Sequence, residues 1–124
     1  MSASRILAAI AVGRLLIGLA MLVLPVEVAR RWLGRGAGTP ESGAFVRAVG
    51  GRDVAYALGS LQGARSGDPR PWLAAGLLVD GVDSWATLAT GTVPLRRRIA
   101  GGWAAFAAVG MAAAGLIAND DVPT

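Results

Sequence analysis

The chain contains no cysteine, no histidine and no lysine. Without cysteine there are no disulfides, no thiol nucleophile and no thiolate metal site. Without histidine, zinc chemistry and Ser–His or Cys–His nucleophile pairs are excluded as well. No metal and no cofactor is expected. Charge is scarce too, at 16% of residues, against roughly 25% in soluble domains. All 12 basic residues are arginine, which against 8 acidic residues gives net +4. The resulting pI near 11.3 suggests nucleic acid at first sight. The arginines, however, sit in short groups between apolar runs, with no basic face interleaved with aromatics, so no nucleic-acid partner is expected. What chemistry remains belongs to carboxylates, guanidiniums, hydroxyls and a single tyrosine.

What the sequence does hold is apolar length. Hydrophobic residues make up 54% of its 124 residues, enough for a single domain spanning 1–124. Crossing a hydrocarbon core takes about 20 residues at 1.5 Å rise each. Four segments qualify, at about 6–24, 44–63, 71–90 and 99–118, and Gly/Pro/Ser-rich breakers separate them. A polar tail, 119–124, follows. A soluble helix needs a polar face, and the fourth segment, "IAGGWAAFAAVGMAAAGLIA", has none. Its glycines suit a membrane helix better than a water-exposed one. The first segment is read as a retained helix and not a cleaved signal, because Arg14 interrupts it and no small-x-small site precedes Pro25. The expected fold class is all-α, a four-helix transmembrane bundle with the lipid bilayer as its partner.

Arginine bias sets the expected orientation. Loops 25–43 and 91–98 carry Arg30, Arg31, Arg35, Arg96, Arg97 and Arg98, whereas the other side has Arg5, Arg65 and Arg70. The positive-inside rule then puts both termini outside the cytoplasm of a multi-pass protein in a cell membrane. Trp32 and Trp103 suit one interface and Trp72 the other. The stretch 26–36 reads either as a short interfacial helix, with Val26, Ala29, Trp32 and Leu33 toward lipid, or as a plain polar loop.

Within this apolar chain, "GGRDVAYALG" at 50–59 keeps Arg52 and Asp53 side by side. Each of the first three spans has charge at its midpoint: Arg14, then Arg52 and Asp53, then Asp80 and Asp83. One such residue at a helix centre costs about 2.5–3.5 kcal/mol if it meets lipid. Mutual pairing of Arg14 and Arg52 with Asp53, Asp80 and Asp83 removes that cost. One carboxylate is left in excess, and Asp80 or Asp83 is expected to hold a proton. Asp80, Asp83, Ser84 and Thr87 share one helical face, and Arg52, Tyr56 and Ser60 form an i, i+4, i+8 row. Beside that row, Gly51, Ala55, Gly59 and Gly63 form a small-xxx-small stripe that predicts tight packing of the second and third spans. Such a cluster is either polar glue between helices or a ligand or proton site. An Asp-x-x-Asp pair could hold a hard cation, but two neighbouring arginines disfavour it. Carboxylate catalysis on sugars lacks the flanking aromatics.

"RLLIGLAMLVLP" (14–25), "FVRAVGGRDVAYALG" (45–59) and "GLLVDGVDSWATL" (76–88) resemble the small bacterial four-helix membrane proteins of the DoxX-like group. The nearest likeness is to a branch known only as a domain of unknown function. That branch has R-x-x-G-x-R-[DE] in its second helix, matched by Arg47, Gly50, Arg52 and Asp53, and D-x-x-D in its third, matched by Asp80 and Asp83. Arg14, Gly18 and Pro25 fit its opening. The resemblance implies an integral protein of the bacterial inner membrane; some relatives in the wider group are linked to quinone or thiol redox systems, which a chain without cysteine or histidine does not match directly. The function expected is an accessory or structural membrane subunit, partnered by a second copy or another membrane protein; an enzyme using these carboxylates is a weaker third reading. The alternative is a small-molecule or proton-handling protein using Arg14, Arg52, Asp53, Asp80 and Asp83, supported by Arg47, Tyr56, Ser60, Ser84 and Thr87.

Overall fold

The computed structural model describes residues 2–91, 95–97, 99, 110, 111, 113, 114 and 117. The described residues form an all-helical protein without strands. Helix α1 runs Ala3–Val23, α2 Pro25–Leu33, α3 Pro40–Ser66 and α4 Arg70–Ala89, with a short 3-10 turn at Arg35–Ala37. The expected fourth span at 99–118, with Trp103, and the tail 119–124 lie outside the described residues, except at 99, 110, 111, 113, 114 and 117, which are helical.

Local chemistry sets each boundary. The Ser2 hydroxyl caps α1 by accepting from the Arg5 N–H at 3.4 Å. Pro25 stops α1 and opens α2, where its missing N–H is harmless. Gly34, at φ 115°, turns the chain out of α2 in a conformation that favours glycine. Thr39 caps α3 by accepting from Ser42 N–H at 3.2 Å, and Gly67, at φ 81°, closes it. Helix α3 therefore starts four residues before the expected 44, because Pro40, Glu41 and Ser42, polar enough to read as loop, are the first turn of a capped helix.

The main packing is α1 against α3 along much of their length, while α4 touches α3 over a far smaller patch. The seam of α1 is Ala3, Leu7, Ala11, Gly18 and Met21, spaced three or four residues apart apart from the step over Arg14. The closest approach is at Gly18 and Gly50. A β-carbon on Gly50 would lie 2.7 Å from the Met21 Cβ and 2.8 Å from the Gly18 carbonyl oxygen. Two apolar clusters flank the middle of this pair: Ala3, Leu7 and Leu73 at one end, Met21, Ala29 and Val46 at the other.

Three expectations need correction. The stripe Gly51–Ala55–Gly59–Gly63 does not seat α4's backbone. Gly51 and Ala55 are exposed, and Gly59 and Gly63 face the ring of Trp72, whose bulk keeps the two backbones apart. Trp72 is thus half-buried in a glycine notch. Residues 25–33 are a helix, but its apolar side covers α1 and α3: Ala29 is fully buried and Trp32 packs on the Met21–Ala29–Val46 cluster. Arg47 does not join the polar face. It is exposed, on the side of α3 that meets Val23–Glu27.

Among the described residues, α1 alone is long and apolar enough, by length and composition, to cross a membrane. Large apolar side chains nevertheless point outward on α3 and α4 as well, including Leu58, Leu78, Val82 and Trp85.

Candidate functional site

Between the two apolar clusters the five midspan charges form one connected ladder. Arg14, on α1, donates from Nη1 to Asp53 Oδ1 at 3.1 Å and from Nη2 to Asp80 Oδ1. Arg52 donates to the same Asp53 oxygen from Nε and Nη2, at 3.3 and 3.1 Å. Its Nη1 and Nη2 also meet both Asp83 oxygens, at 3.0 and 2.7 Å, a two-pronged guanidinium–carboxylate pair. The order is Asp80–Arg14–Asp53–Arg52–Asp83, so charges alternate and α1, α3 and α4 are tied through Asp53. This is why Arg52 and Asp53 adjoin in sequence: the aspartate turns inward as the hub, and the arginine reaches sideways to α4.

With all five groups ionised, three carboxylates against two guanidiniums leave the ladder one negative charge in excess. Burial is uneven along it. The side chains of Arg14, Asp53 and Asp80 are 11%, 8% and 11% exposed, whereas Arg52 and Asp83 are 36% and 30% exposed. The ladder is closed at the Arg14 end and open at the Asp83 end. In the closed part the attraction is little screened, and loss of one partner would strand a buried charge.

Helix geometry brings the supporting residues to different places. Tyr56 lies one turn beyond Arg52 and puts its ring under Arg14, whose Cζ is 4.9 Å from the ring centroid. Its hydroxyl donates to the Trp72 carbonyl, in space that exists because Gly76 has no side chain. The Tyr56 and Trp72 rings meet edge-on at 5.9 Å and 70°. Ser84 donates to the Asp80 carbonyl at 2.6 Å, within its own helix. Thr87 lines a groove beside Asp83. Ser60 is fully buried, and its hydroxyl has no partner among the described residues.

Several contributors were not legible as such in the sequence. Gly18 and Gly50 stood in the motif without an assigned role, and neither sits in a repeated small-residue stripe. Gly76 gave no signal at all. Arg97 donates from Nη1 to the carbonyl of Arg30 at 3.0 Å and to that of Arg31, closing the C-terminal end of α2. A cation beside a helix C-terminus is the expected partner for free carbonyls, but which helix it would serve depends on the tertiary fold.

No residue set among the described residues gathers three candidate metal ligands. The chain matches no protein-family model, no curated protein and no solved structure.

Proposed function

We propose that this protein is a multi-pass integral membrane protein, a four-helix transmembrane bundle, acting as an accessory or structural subunit. The ladder holds its helices in register. The observation that carries this reading is the inverted distribution of polarity. Arg14, Asp53 and Asp80 are inside, while Leu16, Ile17, Leu78 and Trp85 are 54–70% exposed. Exposure of so many large apolar side chains is unusual for a water-soluble protein. In a bilayer the same arrangement is favourable, because ionisable side chains pair toward the bundle interior and apolar ones meet lipid. Of the charges that lower the hydropathy of α3 and α4, Arg52, Asp53, Asp80 and Asp83 pair with one another and with Arg14. The exposed Arg30, Arg31 and Arg35 fit the cytoplasmic headgroup layer.

A second reading, a ligand or proton site, is favoured by one specific observation: the ladder's Asp83 end is open on a groove. A charge-balanced substitution separates a structural ladder from a collection of independent charges. Arg52→Gln leaves Asp83 without its guanidinium and adds a net negative charge. Arg52→Gln with Asp53→Asn restores the balance while Arg14 still holds Asp80. Resistance to unfolding in detergent is expected to drop for the single change and to recover in part in the double, where Asp83 still lacks its guanidinium. A double change that is as damaging as the sum of its singles contradicts the structural reading.

A further inference from the structure

The open end of the ladder gives onto a groove of about 770 Å³, lined by the first half of α3, the second half of α4 and the segment 32–37 at the end of α2 and in the 3-10 turn. That volume falls within the roughly 300–1,000 Å³ typical of small-molecule sites. Its α3 and α4 sides differ in chemistry. Phe45 and Val49, one helical turn apart, make the α3 side apolar, while Asp83, Ala86 and Thr87 supply the α4 side. Each Asp83 oxygen accepts one bond from Arg52, which leaves each with further acceptor capacity, and Asp83 lines the groove. The ladder's excess negative charge belongs to the same network, and Asp83 is the one carboxylate of the three that lines this space. Arg35, the other charged lining residue, is exposed, and its charge is open to screening by ions.

We propose that this groove binds a small apolar organic cation, an ammonium whose N–H groups donate to Asp83 and whose hydrocarbon body lies on Phe45, Val49 and Ala86. This rests on the second reading above, a ligand site at the ladder's open end, and adds the sign of the ligand's charge. A neutral molecule would leave the excess charge uncompensated. An anion would set like charge against it in a partly desolvated site.

The test uses the purified full chain in zwitterionic-lipid nanodiscs, with empty nanodiscs as the partition control. Three probes of similar shape are titrated by calorimetry: 2-phenylethylammonium, 3-phenylpropanol and 3-phenylpropanoate. The ammonium is expected to bind at least about tenfold more tightly than the carboxylate. Asp83→Asn is expected to erase that preference. Ala86→Trp, which fills the groove and leaves every ladder residue in place, is expected to abolish binding of all three at unchanged helix content. Should Asp83→Asn not fold, the probe ranking on the unmodified chain and the Ala86→Trp variant decide. If the neutral or anionic probe binds as well as the ammonium and Ala86→Trp blocks it, a ligand site stands and the charge assignment falls. If no probe binds above the empty nanodiscs, both fall.

Discussion

Replacing Gly50 by alanine tests the α1–α3 crossing that carries the ladder. The added β-carbon would lie 2.7 Å from Met21 Cβ, 2.8 Å from the Gly18 carbonyl oxygen and 3.3 Å from the Leu22 nitrogen. Carbon contacts are ordinarily about 3.5–4.0 Å, so the helices must separate by roughly 1 Å at this point. Two of the three obstacles are backbone, so no side-chain rotation relieves them. Overpacking of this kind costs about 1–3 kcal/mol, and alanine's better helix propensity returns up to about 1 kcal/mol. The net loss expected is on the order of 1–2 kcal/mol. Gly18 is one turn from Arg14, so the same separation stretches the Arg14–Asp53 bond, now 3.1 Å, beyond hydrogen-bonding range. Gly51, the next residue, has nothing within 4 Å of its would-be β-carbon. Gly51→Ala is therefore the control, expected to be neutral or stabilising by up to about 1 kcal/mol. Equilibrium unfolding in mixed micelles, followed by far-UV circular dichroism, measures both. Equal behaviour of the two variants, or a Gly50→Ala protein firmer than the parent, would refute the crossing.

Two further outcomes follow from local contacts. Tyr56→Phe removes the donor to the Trp72 carbonyl while keeping the ring beneath Arg14, and should cost about 0.5–1.5 kcal/mol in the same unfolding assay. Glu41 lies at the start of α3, where its own backbone N–H and the Thr39 hydroxyl hold its carboxyl below its ordinary value of 4.5. A carboxylate with a lowered folded value contributes stability that is full above the unfolded value and is lost as pH falls through the folded one. Glu41→Gln should therefore lower stability slightly at neutral pH, converge with the parent in acid and so flatten the acid limb below about pH 4.5, as unfolding midpoints across that range would show.

The helices and the ladder's membership were legible in the sequence because both rest on one-dimensional signals. Apolar runs between Gly/Pro breakers located α1, α3 and α4 to within a few residues. The depth of Arg14, Arg52, Asp53, Asp80 and Asp83 along those runs brought them to one layer. The pairing pattern was not legible, since it depends on which helix faces which. Arg47, placed among the supporting residues through the R-x-x-G-x-R-[DE] motif, is exposed on another side of α3. The glycine stripe pointed to a close α3–α4 backbone contact, whereas the notch at Gly59 and Gly63 is filled by Trp72 and the close contact is at Gly18 and Gly50. Small residues mark where something bulky or a backbone comes near. They do not say which.

The central claim is that the outward apolar faces meet lipid while the charges pair inside. The absence of cysteine permits a direct measurement. Single cysteines at Leu16, Leu78 and Trp85, at exposed apolar positions, and at Thr39, Ser66 and Gln62, toward the helix ends, are treated in intact cells with a membrane-impermeant maleimide. The account predicts that Leu16, Leu78 and Trp85 positions stay unlabelled, that Ser66 and Gln62 label from outside, and that Thr39 labels only after permeabilisation. Labelling at Leu16, Leu78 and Trp85 in permeabilised cells with lipid intact would mean that water, not lipid, covers those faces, and would contradict it.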